Sequence, residues 1–100
     1  MELFKLTHKA KNDLIQIAVY TEEHWGKNQR NIYLKQFDDT FHLLSDNTRL
    51  GKKCDYIKTG YRKFPQGSHI IFYKKGTTSK IEIIRILHKS MDINIGLENK

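Results

Sequence analysis

Five side chains in the second half of the chain are of the types that can cleave RNA without a metal ion. Such cleavage needs a general base, a general acid and a cation that stabilises the negative charge on the phosphate. Histidine or tyrosine can supply the acid and the base, and arginine can supply the cation. The sequence predicts that the five residues lie on neighbouring strands and strand ends: Tyr61, Arg62, His69, Arg85 and His88.

The same residues also have plainer interpretations. Arg85 is flanked by isoleucines in a strand-like run, where it could pair with a carboxylate such as Glu82 or with a partner's side chain. His88 alternates with Ile84 and Ile86, so it could equally be a packed histidine that is hydrogen-bonded to a loop. Basic residues on a sheet bind anions more often than they cleave them. We therefore prefer binding over catalysis for this set.

The sequence indicates neither a metal site nor a cofactor site. Cys54 is the single cysteine, and no pair of Cys and His residues has the spacing of a zinc site. We therefore expect no disulfide, and stability has to come from the apolar core. Lys52 and Lys53 precede the thiol, but an ordinary reduced cysteine is the expected state in a cytosolic protein.

Length and charge limit the class of protein. The 100 residues predict one domain over 1–100, and 18 Lys and Arg against 11 Asp and Glu leave a net charge of +7. Partners should therefore be acidic, either nucleic acid, anionic membrane or acidic protein. The most apolar stretch, 81–87, is interrupted by charges and is far shorter than the roughly 20 residues of a membrane span. The N-terminus lacks the pattern of a signal peptide, so we expect a cytoplasmic protein without a membrane partner.

Apolar periodicity predicts a strand and two helices in the first half of the chain. Residues 2–7 favour a strand, and Thr7 can then cap a helix over 8–24. A second helix is predicted over 28–45, with Asn28 as its cap. Because the link between the helices is short, they should form an antiparallel hairpin.

The second half of the chain predicts three strands. They cover residues 60–64, 69–74 and 80–87, and the turns between them lie at 65–67 and 75–78. Short turns make sequential strands antiparallel neighbours. The resulting order, β-α-α-β-β-β, predicts an α+β domain in which an antiparallel helical hairpin packs on one face of a small, mainly antiparallel sheet.

Three further parts of the chain lie outside this regular pattern. The polar connection before the last three strands is predicted to be irregular, with Leu50 and Tyr56 holding it in place. Tyr20 and Trp25, near the helical turn, are expected to pack rather than to contact a partner. The tail 89–100 contains several apolar residues, so we expect it to fold back on the sheet or to contact a partner.

The open face of the predicted sheet should be basic, with aromatic and aliphatic patches, because the helices cover only one face. Side chains on this face and at the strand ends are the candidates for binding a partner. They are Tyr61, Arg62, Lys63, His69, Tyr73, Arg85, His88 and Met91.

Three segments of the sequence resemble the ParE family of the RelE/ParE superfamily of bacterial toxins. They are YTEEHWGKNQRNIY at 20–33, GYRKFPQGSHIIFYKK at 60–75 and IEIIRILHKSMD at 81–92. With the helix patterns between them, these segments extend the resemblance over nearly the whole chain.

The resemblance implies a RelE/ParE-like fold and a type II toxin. A ParE toxin poisons DNA gyrase without being an enzyme itself, which blocks DNA replication and arrests growth. The resemblance further implies a ParD-like antitoxin, whose C-terminal segment wraps the toxin and neutralises it, and an indirect association with DNA through the antitoxin complex. No cofactor is implied.

The related RelE branch provides the alternative function, a metal-free endonuclease that cleaves mRNA on the ribosome. Many of its members use basic residues on the same sheet and a Tyr or His near the C-terminus. No tyrosine follows Tyr73 here, but His88 lies three residues after Arg85 and resembles the histidine version. A nuclease would therefore rely on Arg62, Arg85 and His88, which would have to converge within hydrogen-bonding distance.

Overall fold

The computed structural model describes residues 2–91, which form two helices packed on one face of a five-stranded sheet. The strand order is β1-β5-β4-β3-β2, with β1 parallel to β5 and all other neighbours antiparallel. This arrangement confirms the predicted α+β class. The elements are β1 Glu2–Leu6, α1 His8–Trp25, α2 Lys27–Asp46, β2 Lys52–Lys53, β3 Arg62–Gln66, β4 His69–Lys75 and β5 Ser79–His88.

Local capping explains where the two helices begin and end. The Thr7 hydroxyl accepts the backbone N–H of Ala10 at 3.0 Å, which confirms the predicted cap of α1. Gly26 has a φ of 90°, which glycine adopts without strain, and it both ends α1 and precedes α2. The prediction of Asn28 as a cap was therefore wrong, since α2 already begins at Lys27.

The main core lies between the helices and the sheet. Ala10 and Ile17 of α1 and Phe37 of α2 are buried against the inward-facing residues of β4 and β5. Helical residues three or four positions apart share one face, and alternate strand residues share one side, so both patterns converge here. The complete buried cluster is Ala10, Ile17, Phe37, Phe41, Leu44, Ile71, Tyr73, Ile81, Ile83 and Ile86.

The connection between α2 and β3 covers the opposite face of the sheet, and it is more ordered than the sequence suggested. Leu50 and Tyr56 were expected to hold it, but they are 41% and 71% exposed. Cys54 and Tyr61 are buried instead, and the Cys54 N–H donates to the Tyr61 carbonyl at 2.9 Å. Together with residues of β4 and β5 they form a second apolar cluster that includes Phe72. Burial raises the pKa of the Cys54 thiol, so this cysteine is an unreactive packing residue.

The hairpin between β3 and β4 is tighter than predicted. Pro65 was assigned to a turn but lies in β3, where it is the register partner of Ile70. Proline is tolerated at this position because β2 pairs only with the start of β3, so that the rest of the strand has a single neighbour. The loop is reduced to Gly67 and Ser68, and the positive φ of Gly67, 58°, permits the sharp reversal.

An ion pair joins α1 to the second half of β5. The Arg85 Nε and Nη2 atoms donate to the two carboxylate oxygens of Asp13 at 2.7 and 3.0 Å, and the Ile86 N–H donates to the same carboxylate at 2.9 Å. The Arg85 and Asp13 side chains are only 15% and 13% exposed. β1 pairs with β5 no further than Ile83. Beyond the end of β1, the Asp13 carboxylate therefore accepts a β5 backbone hydrogen bond that a neighbouring strand would otherwise accept.

We expect Asp13→Ala to lower the free energy of unfolding by about 3 kcal/mol, because the largely buried Arg85 charge and the Ile86 N–H both lose the Asp13 carboxylate as an acceptor. Urea unfolding monitored by circular dichroism measures this change. Asp39→Ala is the matched control, since Asp39 pairs with Lys35 on the exposed face of α2 and should contribute much less. Equal losses in the two variants would contradict a central role for Asp13.

Candidate functional site

A cleft of about 1020 Å³ opens between α1, the start of α2 and the ends of β4 and β5. Its rim carries three large exposed side chains, Tyr20, Trp25 and Met91, which are 59%, 71% and 51% exposed. Deeper in the cleft lie Ile17 and Leu87 of the two apolar clusters. The cleft therefore combines an apolar floor with an aromatic rim, as is typical of surfaces that bind an apolar segment of a partner.

Tyr20 and Trp25 do not pack as the sequence suggested. Ile17 turns toward the sheet and is buried, whereas Tyr20 lies on a neighbouring face of α1 and stacks on His24 with ring centres 3.9 Å apart. Trp25 ends α1 at the open end of the cleft. Both residues, Tyr20 and Trp25, are exposed and line the cleft, so the expectation that they pack was wrong.

The Tyr33 hydroxyl connects α2 to the hairpin between β3 and β4. It accepts the backbone N–H of Ser68 at 3.1 Å and lies 2.7 Å from His69 Nδ1 and 3.1 Å from the Gln66 carbonyl. A tyrosine hydroxyl has one proton, so it donates to only one of these two acceptors at a time. When His69 is neutral, its Nδ1 can accept that proton. When His69 is protonated, Nδ1–H can donate to the hydroxyl, which then turns to Gln66.

His69 and His88 form a pair at the polar end of the cleft. They are register partners on β4 and β5, and their rings meet nearly perpendicular with centres 5.3 Å apart. Burial, together with the neighbouring His88, lowers the pKa of His69 to about 4, although Asp13 acts in the opposite direction. His69 is therefore neutral near pH 7. His88 is exposed and its Nδ1 lies 2.7 Å from the Ser90 hydroxyl.

The predicted binding residues divide into separate groups. Tyr61 and Tyr73 are 4% and 1% exposed and offer almost no surface to a partner. The Tyr73 hydroxyl instead accepts the Gly51 N–H at 2.7 Å and donates to the Thr48 carbonyl at 3.1 Å, which anchors the connection. Arg85 is engaged by Asp13. The others lie at two distant places: His69, His88 and Met91 line the cleft, whereas Arg62 and Lys63 lie beside β2.

Arg62, Arg85 and His88 do not come together as a nuclease would require. Arg62 is aligned with Tyr73 of β4, whereas His88 is aligned with His69, four residues away along the same strand. At about 3.4 Å per residue, this separation is about 14 Å along the sheet. The Arg62 Nη1 donates to the Gly51 carbonyl at 2.7 Å, while Arg85 is held by Asp13. Each member of the set therefore has its own local partners.

Within residues 2–91, no three His, Cys, Asp or Glu side chains are grouped closely enough to hold a metal ion. Neither α1 nor α2 is apolar enough over its length to cross a bilayer. The predicted tail lies mostly outside the described residues, since 92–100 are not described. Met91, at the end of the described chain, is on the rim of the cleft.

The protein should become less stable as the pH is lowered, because His69 becomes protonated. A histidine whose folded pKa lies below its ordinary value of 6.5 is stabilising above pH 6.5, and that stability is lost as the pH falls toward about 4. The full loss amounts to about 3 kcal/mol. His69→Asn, which can still accept from Tyr33, should flatten this part of the curve in urea titrations at successive pH values. His8→Asn, at an exposed position, is the control, and equal flattening in the two variants would contradict the role of His69.

The fold matches a solved structure titled "Chromosomal ParDE TA system from P. aeruginosa" with a TM-score of 0.73. The match covers 88% of this chain and 96% of that chain at 19% identity, so it concerns the fold alone.

Sequence comparisons extend over nearly the same length. The chain is 35% identical over 92 residues to Toxin ParE1 of Caulobacter vibrioides, covering 92% of this chain and 94% of that protein. It is 34% identical over 94 residues to Toxin ParE1 of Mycobacterium tuberculosis, covering 94% and 96%. The family model described as "ParE toxin of type II toxin-antitoxin system, parDE" matches residues 4–93. The chain therefore belongs to the ParE toxin family of type II toxin–antitoxin systems.

Proposed function

We propose that this chain is a cytoplasmic toxin that inhibits DNA gyrase and blocks DNA replication, and that a cognate ParD-like antitoxin neutralises it by direct binding. The observation that carries the proposal is the family match over residues 4–93. Inhibition in this proposal comes from binding, without a reaction catalysed by the toxin. Association with DNA through the antitoxin complex belongs to the same proposal.

The antitoxin segment fits the cleft best as an amphipathic helix. Such a helix places one apolar face in a groove and leaves its polar face in solvent. The cleft offers exposed Trp25, Tyr20 and Met91 as apolar contacts at its rim, and the polar side chains of Gln16 and Gln29 beside them. A segment that is disordered before binding would fold on this surface, as is typical of regulatory partners.

The arrangement of the charged residues supports a non-enzymatic toxin. A metal-free nuclease needs an acid, a base and a cation around one phosphate. Arg62 and His88 are aligned with residues four positions apart on β4, and Asp13 neutralises Arg85. This arrangement therefore does not favour cleavage of mRNA.

Trp25→Ala should weaken antitoxin binding by about 30-fold, which corresponds to the roughly 2 kcal/mol lost when a tryptophan that anchors an interface is truncated. Isothermal titration of purified toxin with antitoxin measures the dissociation constant. Tyr56→Ala is the matched control, because Tyr56 is also 71% exposed but lies on the connection, away from the cleft. Unchanged affinity in the Trp25 variant would place the antitoxin elsewhere on the toxin.

The target is tested with purified chain, freed from antitoxin and incubated with gyrase, ATP and supercoiled plasmid. We expect linear plasmid to accumulate after denaturant and protease treatment, because a gyrase poison traps the broken-DNA intermediate. Added antitoxin should reverse this effect. Toxin pre-mixed with antitoxin serves as the inactive sample.

Growth arrest without plasmid cleavage would contradict the gyrase proposal. In that case, cuts in ribosome-bound mRNA would identify the RelE-like activity. A chain that binds antitoxin but causes neither growth arrest nor cleavage would be a member of the family that has lost its toxicity.

A further inference from the structure

Most of the net positive charge of the chain is concentrated in one short segment. Residues 47–63 carry six Lys and Arg and one Asp, a net charge of +5, whereas the whole chain carries +7. The segment contains the connection, β2 and the start of β3, so four of these cations lie on the two strands at one edge of the sheet and the other two lie in the connection that flanks β2. We refer to the six cations as the basic edge. They are Arg49, Lys52, Lys53, Lys58, Arg62 and Lys63.

The pairing of β2 with β3 places like charges directly opposite each other. Lys52 is the register partner of Lys63, and Lys53 is the register partner of Arg62. Like charges at opposed positions of an antiparallel pair destabilise it. Lysines on an edge strand protect it against pairing with another chain, which explains a charge on β2 itself. That protection does not require cations on β3 as well.

The chain supplies no counter-charge for these cations among the residues that the structure describes. Over 2–91, no carboxylate forms a salt bridge with any member of the basic edge, whereas Arg30, Lys35 and Arg85 all have one. The single acidic residue of the segment, Asp55, instead accepts the Gly60 N–H at 2.8 Å. An external anion would therefore relieve the repulsion within the basic edge.

Two members of the basic edge are held in place. The Arg62 Nη1 donates to the carbonyls of Gly51 and Arg49 at 2.7 and 3.3 Å. The Lys63 ammonium donates to the Tyr56 hydroxyl at 3.0 Å and lies 5.7 Å from the centre of that ring. Arg49 and the lysines of β2 are exposed around them. The result is a fixed centre of positive charge surrounded by exposed cations.

We propose that the basic edge binds the phosphodiester backbone of duplex DNA directly. Protein interfaces are depleted in lysine and have an apolar core, whereas the only large apolar side chains exposed in the segment are Leu50 and Tyr56. Proteins that bind single-stranded nucleic acid stack its bases on several aromatic side chains, whereas the segment 47–63 exposes one large aromatic side chain, Tyr56. A duplex instead carries a dense, regular row of phosphates that lysine and arginine neutralise.

This binding site is separate from the cleft. None of the residues that line the cleft belongs to β2, β3 or the connection. In the sheet, β4 and β5 separate the basic edge from β1. The toxin can therefore hold DNA and a protein partner at the same time, and the inference does not depend on which target the toxin inhibits.

The test measures the fluorescence anisotropy of a short labelled DNA duplex of arbitrary sequence, titrated with the full-length chain at several salt concentrations. The logarithm of the affinity should fall linearly with the logarithm of salt, with a slope of about −0.9 for each phosphate contacted. Lys52→Gln combined with Lys53→Gln removes two exposed cations and should make that slope shallower by about 1.8.

Lys11→Gln combined with Lys27→Gln is the matched control, because it makes the same change in net charge at exposed positions on the helices. The control should keep the slope of the unmodified chain. If the β2 variant fails to fold, Arg49→Gln combined with Lys58→Gln tests the same surface from exposed positions of the connection.

Three outcomes would overturn the proposal. Equal losses in the β2 variant and the helix control would show that net charge alone attracts the DNA. Equally tight binding of a polyglutamate peptide would identify an acidic protein as the partner, and tighter binding of an RNA duplex would identify RNA. A slope that changes only in the basic-edge variants, with DNA preferred over both competitors, supports direct DNA binding.

Discussion

Strand β5 depends on two different partners along its outer side. Its first half pairs in parallel with β1, as far as Ile83, and its second half is held by the Asp13 carboxylate through Arg85 and the Ile86 N–H. A carboxylate that receives a guanidinium and a backbone N–H replaces the hydrogen bonds of a missing strand, and these charge-assisted bonds offset the desolvation of the two charges. The position of α1 over the sheet follows from this one contact, together with the apolar stripe that contains Ile17.

The cleft exists because a side chain, rather than a strand, completes this side of β5. Asp13 and Ile86 both line the cleft, so the carboxylate that completes β5 also forms part of the cleft wall. At the inner end, the Tyr33 hydroxyl and neutral His69 satisfy the polar groups of the hairpin without a charge. The cleft is therefore apolar at its rim and uncharged at that end, which suits a partner that buries apolar side chains.

The opposite edge of the sheet is positively charged, in contrast to the apolar cleft. The connection is anchored by buried Cys54 and Tyr61 and by the Tyr73 hydroxyl, which accepts the Gly51 N–H. Gly51 is required there, since a Cβ at this position would collide with the Tyr73 ring. Because these few contacts fix a short segment, its cations remain close together despite their repulsion. An apolar surface and a cationic surface are thereby kept apart on one small domain.

The sequence by itself determined the two helices, four of the five strands and the class of the fold, because helical and strand periodicities are local properties of the chain. It also identified the Thr7 cap, which depends on a side chain three residues from its donor. It did not identify β2 or the burial of Cys54, because pairing with β3 is decided by contacts across the connection rather than by periodicity.

Only the tertiary structure decided which candidate residues share a surface. The sequence suggested that Arg85 and His88 share a site. In the structure, Arg85 instead forms an ion pair with Asp13 of α1, which is far from it in the sequence. Strand register then aligns Arg62 and His88 with residues four positions apart on β4. Residue types and charges can therefore be recognised in a sequence, whereas their grouping into sites depends on strand register and on the packing of helices against the sheet.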